Sequence, residues 1–195
     1  MTTEDATLPN RIVDAALALA LEDSWEAVRL HQVAERLGIG LDTLREHFRE
    51  KEEVADAFFD RADAAMLQST ARPEFAELSP RARLEWLINA WLDALAPWRV
   101  VVRGMILGKL EPGHLHVQIP GLLRVSRTVQ WMREAAGLEA TFIRRAVEET
   151  ALTTIFLATF ARWLNDPSID AVNSRRFLAR SLDLAEGAAE RLPRA

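Results

Sequence analysis

Three observations predict an all-α protein. Ala, Leu, Glu and Arg, all good helix formers, are abundant in the 195 residues, and Tyr is absent. No stretch alternates β-branched and polar residues as a half-buried strand would. Pro, Gly and Ser fall where helices of ordinary length would start and stop.

The elements follow in order. Residues 9–22 put Ile12, Ala16 and Leu19 on one face of a first helix. LHQVAERLG (30–38) gives a short helix with Leu30, Val33, Ala34 and Leu37 inward, stopped by Gly38. LDTLREHF (41–48) gives a second short helix, anchored by Leu44 and Phe48, and a longer one from Lys51 to about Ser69 buries Val54, Phe58, Ala62 and Ala65. After a joint at Arg72-Pro73, Ser79-Pro80 is a strong helix start, since Ser caps and Pro suits the first turn. That helix reaches about Ala96, and Pro97 opens the next, to about Leu110. EPGHLHVQIPG (111–121), with two Pro and two Gly, reads as a loop or broken helix. A helix to Ala136 ends at Gly137, the longest spans roughly 139–164, and a last one covers about 171–191.

Composition narrows the function. Hydrophobic content of 49% supplies a packed core, and no apolar run approaches the ~18 residues of a membrane span. The start MTTEDATLPN lacks the basic opening of a signal peptide, so a cytoplasmic protein is expected. Without cysteine, disulfides and thiol chemistry are excluded. No nucleophile elbow or phosphate-cradling glycine loop is present, so no catalytic residues, enzyme activity or cofactor are expected. Charge is uneven: residues 1–70 hold seven bases against fifteen acids, a net −8, while the whole chain carries −5. DNA presents one negative charge per ~1.7 Å of axis, so a surface that grips it normally carries the opposite balance.

Yet RIVDAALALALEDSWEA, VAERLGI and LREHFREKEEV, in that order, resemble the TetR family of one-component regulators over residues 9–60. The matching positions are Arg11-Ile12, Ala15-Ala16, Val33-Ala34, Gly38-Ile39, Leu44, His47, Phe48 and Lys51-Glu52-Glu53. The resemblance implies a helix-turn-helix domain at 1–50, a connecting helix at 51–70, and a ligand-binding and dimerisation domain at 71–195. It also implies operator DNA as a partner, through Arg29, Thr43, Arg45, His47 and Lys51. The departures fall on the DNA-facing side, where Gly40, Leu41 and Asp42 stand in place of the family's usual Ser, basic or small residue, and Gly. A helix-turn-helix kept only for its packing is the plain alternative.

The larger half also resembles a TetR-derived group, the lipid-binding accessory proteins of ubiquinone biosynthesis. The matches are Trp131 and Ala136-Gly137, Arg144-Arg145, Trp163-Leu164, Asp166, Ser168, Asp170, Phe177-Leu178 and Arg180. Two functions are therefore carried: a ligand-responsive regulator, with a repressor expected, and a lipid- or isoprenoid-binding protein that has lost DNA binding.

Trp86, Trp91, Trp98, Met105 and Trp131, with Asn89, Asp93, His114, His116 and Gln118 as polar anchors, are candidates for an apolar pocket. The alternative for the aromatics is plain core. The pocket would take a small hydrophobic ligand, a lipid among the candidates. His114 and His116 could also chelate a metal, but only Glu111 stands near, so pocket lining is preferred and no metal site is assigned. Apolar residues on the last two long helices exceed the needs of one small core. A homodimer seam is accordingly expected at Phe156, Phe160, Trp163, Phe177, Leu178 and Leu182, with internal core as the alternative.

Overall fold

The computed structural model describes residues 7–109, 115–189 and 191, excepting the side chains of 108–123. Every regular element among them is helical: α1 Leu8–Glu22, α2 Leu30–Leu37, α3 Leu41–His47, α4 Lys51–Gln68, α5 Pro73–Ala76, α6 Pro80–Leu95, α7 Arg99–Lys109, α8 Leu115–Ala136, α9 Phe142–Leu164 and α10 Val172–Ala189. Short 3-10 turns at Ser69–Ala71, Ala96–Trp98 and Ile169–Ala171 join neighbours.

Two compact units are formed. The first gathers α1, α2, α3, α4 as far as Ala62, and α7. Its core holds Ile12, Val13, Leu17, Val33, Leu44, Val54, Val102 and Met105, none more than 1% exposed. Helix α2 ends because Gly38 takes φ 65, a left-handed conformation that glycine adopts without a Cβ clash, and Ile39 then donates its N–H back to the Ala34 carbonyl at 3.0 Å. That reversal sets α3 across α2. Leu44 and Phe48 fix it there by burying 99% and 93% of their surface.

The second unit holds the rest of α4 with α5, α6, α8, α9 and α10. Ser79 accepts from the Ala82 N–H at 3.3 Å, the cap expected ahead of Pro80. In the core Trp91 meets Phe156 and Phe160 edge-on, with centroids 5.0 and 5.3 Å apart. Between α9 and α10, Asp166 is the organising residue: it accepts from the N–H and hydroxyl of Ser168 (3.0 and 2.5 Å) and of Ser174 (2.7 and 2.6 Å).

Two boundaries differ from those read in the sequence. Of the segment expected as a loop or broken helix at 111–121, residues 111–114 lie outside the described residues and the rest is helical from Leu115, so α8 carries Pro120 within its second turn. There proline removes one helix hydrogen bond and its ring crowds the carbonyl four residues earlier. Helix α9 begins at Phe142 rather than 139, with Phe142 itself at φ 49.

Candidate functional site

The reading face is built on α3. Its buried side holds Leu44, leaving Leu41, Asp42, Arg45, Glu46 and His47 exposed and Thr43 half-exposed. Among the described residues Arg45 makes no ion pair, so its guanidinium is available to an incoming acceptor. Asp42 folds back over Gly40, where a Cβ would collide with its carboxylate.

Two expected contacts also bond within the chain. Lys51 extends its ammonium 5.5 Å above the Trp25 ring and donates to the Trp25 and Glu26 carbonyls at 3.2 and 3.4 Å. It thus pins the entrance of α4 to the turn after α1. Arg29, ahead of α2, donates to the Glu26 and Val28 carbonyls at 2.6 and 3.2 Å, while its own N–H is accepted by Gln32. Arg36 pairs with Glu22 at 2.7 Å, which lowers the carboxyl below its ordinary value through that hydrogen bond, and Arg61 pairs with Asp14 at 2.5 Å.

The pocket residues read from the sequence are divided between the two units. Trp98 and Met105 belong to the first unit; Trp86, Asn89, Trp91, Asp93 and Trp131 belong to the second. Trp86 donates to Ser69 at 3.0 Å, Asp93 is exposed and paired with Arg175, and Trp131 is 54% exposed. Asn89 keeps a buried side-chain oxygen with no partner among the described residues. His114 and the side chains of His116 and Gln118 lie outside the described residues.

Within the second unit a cleft of about 390 Å³ opens where the start of α6, the first half of α9 and the end of α10 diverge. Leu84, Leu152 and Leu182 form its buried floor. None of the aromatic residues singled out in the sequence touches it.

The residues read from the sequence as a seam pack mostly within their own chain. Phe156, Phe160, Trp163, Leu178 and Leu182 are 2%, 8%, 3%, 0% and 3% exposed within a single chain, and Phe177 is half-buried under Arg162. The outward face of α9 is apolar too: Ile143 is 82% exposed, Val147 49% and Leu157 38%.

A cluster the sequence reading missed lies on α4, α6 and α8. Asp63 accepts from the Trp91 indole N–H at 2.7 Å and the Thr128 hydroxyl at 3.1 Å, with Arg124 at 3.4 Å. The signal was available: Asp63 falls four residues after Phe59 and three before Met66, an acid on an apolar helical stripe.

A helix-turn-helix on a helical second unit defines the class, a DNA-binding regulator. Comparison with known proteins agrees. Residues 12–58 match the model of the bacterial regulatory proteins of the tetR family. The structure resembles that of a TetR transcriptional regulator from Nitrosomonas europaea, 49% identical, with 92% of this chain and 98% of that one covered and a TM-score of 0.82. A TetR regulator from Rhodococcus sp. RHA1 shares the fold at 24% identity, 89% and 92% coverage and a TM-score of 0.67. No curated protein matches. The chain belongs to the TetR family of transcriptional regulators. No helix among the described residues is long and apolar enough to cross a membrane.

Proposed function

We propose that this TetR-family regulator is a homodimeric, ligand-responsive repressor that grips random DNA weakly and depends on a few sequence-specific contacts. The exposure of Arg45 on α3, with Thr43 and His47 beside it, is the observation that carries this reading. The helix is locked by Leu44 and Phe48, so these side chains are presented on a rigid element. Lys51 and Arg29 serve as supports for the fold rather than as phosphate ligands. Ligand bound in the second unit would move the two reading helices of a dimer away from one helical turn of DNA, releasing the operator.

For the dimer, the proposed seam is the outer face of α9. Ile143, Val147, Leu157, Ala158 and Ala161 are exposed along it, and α10 adds Val172 and Leu184 at 38% and 76% exposure. This exposed face, apolar apart from Thr150 and Thr154, suits an interaction surface, and pairing two α9–α10 hairpins makes a four-helix bundle.

A gel-shift against the DNA upstream of its own gene, at low and ordinary salt, tests the proposal. A specific shift at ordinary salt supports it. No sequence bound above background even at low salt overturns it, and the lipid-binding reading, for which the apolar cleft speaks, takes its place.

A further inference from the structure

The cleft between α6, α9 and α10 has a chemistry that selects its occupant. Among the described residues its lining is aliphatic apart from four charged side chains, with no aromatic ring, hydroxyl or amide. A polar body would lose hydration there without gaining hydrogen bonds, and a flat aromatic one would find no ring to stack on. An alkyl chain needs neither, and about 390 Å³ lies within the range of small-molecule sites.

The charges decide the head group. Arg81 is held by Glu85 and Asp183, and Arg144 donates to Glu148 at 3.0 Å, with Arg133 also 3.9 Å from Glu148. Three arginines and three acids are thus ion-paired around the rim, with Glu148 shared by two of the arginines. Glu186, which lines the cleft from α10, is exposed and makes no ion pair among the described residues. One carboxylate is left over at the mouth, which repels an anion and attracts a cation.

We infer that this cleft binds an aliphatic chain ending in a cationic head, an alkylammonium, with the chain on Leu84, Leu152 and Leu182 and the head at Glu186. The inference deepens the ligand-responsive reading above and rests on it.

Calorimetric titration of the full chain with decyltrimethylammonium, below its micellar concentration, tests the site against decanoate and 1-decanol. The ammonium should bind best, with decanoate about tenfold weaker, the scale of an exposed charge contact reversed in sign. Glu186→Gln should bring the two within about threefold of each other. Ala185→Phe, which fills the cleft, should abolish binding; Ala189→Trp, in the last turn of α10 where folding is less at risk, should do the same. Equal binding of decanoate, or ammonium binding that survives both filling variants, overturns the inference. So does a change of oligomeric state in the filling variants, which would make the cleft part of a contact between copies. The operator gel-shift keeps the two proposals apart. Ammonium bound in the cleft without operator release would sink the ligand response and leave the site standing, whereas release by another compound, unaltered in the filling variants, would do the reverse.

Discussion

The indole N–H of Trp91 donates to the Asp63 carboxylate across 2.7 Å, tying α6 to α4 inside the second unit. The same carboxylate accepts from Thr128 on α8, and Arg124 approaches it with a side chain only 10% exposed. Polar groups this deep in an apolar setting are costly to strip of their acceptor. Asp63→Ala should lower unfolding free energy by about 2–4 kcal/mol, and Asp63→Asn, which keeps an acceptor oxygen, by less. Urea titrations of the two variants check this; equal losses would show that shape rather than hydrogen bonding matters at the site.

Asp166 carries a pH signature. Burial would push its carboxyl up, but hydrogen bonds from Ser168 and Ser174 outweigh that and hold it well below the ordinary 3.8. A carboxylate with a depressed folded-state value stabilises the fold above its unfolded value and loses that contribution as pH falls through the folded one. Stability should thus be insensitive to this group at neutral pH and decline below about pH 4. In Asp166→Asn the acid-side decline should be shallower and the neutral-pH stability lower, as read by denaturant midpoints at pH 7 and 3.

Arg45 and Lys51 should behave differently despite equal charge. Arg45→Ala removes an exposed contact from the reading helix and should weaken operator binding by roughly 1–3 kcal/mol with fold stability unchanged. Lys51→Met removes the ammonium from above Trp25 and should cost about 1–2 kcal/mol of stability, with little change in the salt slope of DNA binding. Paired melting curves and salt-dependent binding isotherms separate the two roles.

Asp42 and Gly40 are coupled. Asp42→Gly takes a carboxylate off the reading face and should strengthen operator binding. Gly40→Ser alone must push the Asp42 carboxylate aside, because a Cβ has no room beside it. In the Asp42→Gly background the same serine meets no obstacle, so the two substitutions together should bind DNA more tightly than their separate effects sum to. Strict additivity in binding assays would show that the carboxylate moves at no cost.

Substitution on the two faces of α9 should have opposite outcomes. Leu157→Glu, on the exposed face, should yield folded monomers by sedimentation. Phe156→Glu places a charge where 2% of the surface is exposed and should unfold the chain instead.

That contrast shows what the sequence could and could not disclose. Gly38 and Ser79-Pro80 declared their helix ends because caps are local, settled by residues within one turn. Leu44 and Phe48 were legible as anchors because α3 has only one apolar side. Helix α9 has two, and periodicity locates both without saying which is buried in its own chain and which stays exposed. The aromatic face holding Phe156, Phe160 and Trp163 packs inside its own chain. Lys51 was unreadable for a different reason: its partner Trp25 stands 26 residues earlier, a distance that no short-range pattern spans. The cleft stayed hidden because it arises from three helix ends diverging, lined by residues as ordinary as leucine and alanine.

The internal commitments of Arg29, Arg36, Lys51 and Arg61 reach beyond the reading head itself. A genome offers on the order of 10⁶–10⁹ competing non-specific sites, and regulators rich in unpaired cations are mostly parked on them. If the proposed weak grip on random DNA holds, a head with a net −8 and four of its seven bases engaged within the chain would escape that parking. It would search by diffusing through solution rather than sliding along the duplex, so a small number of copies would keep one operator occupied.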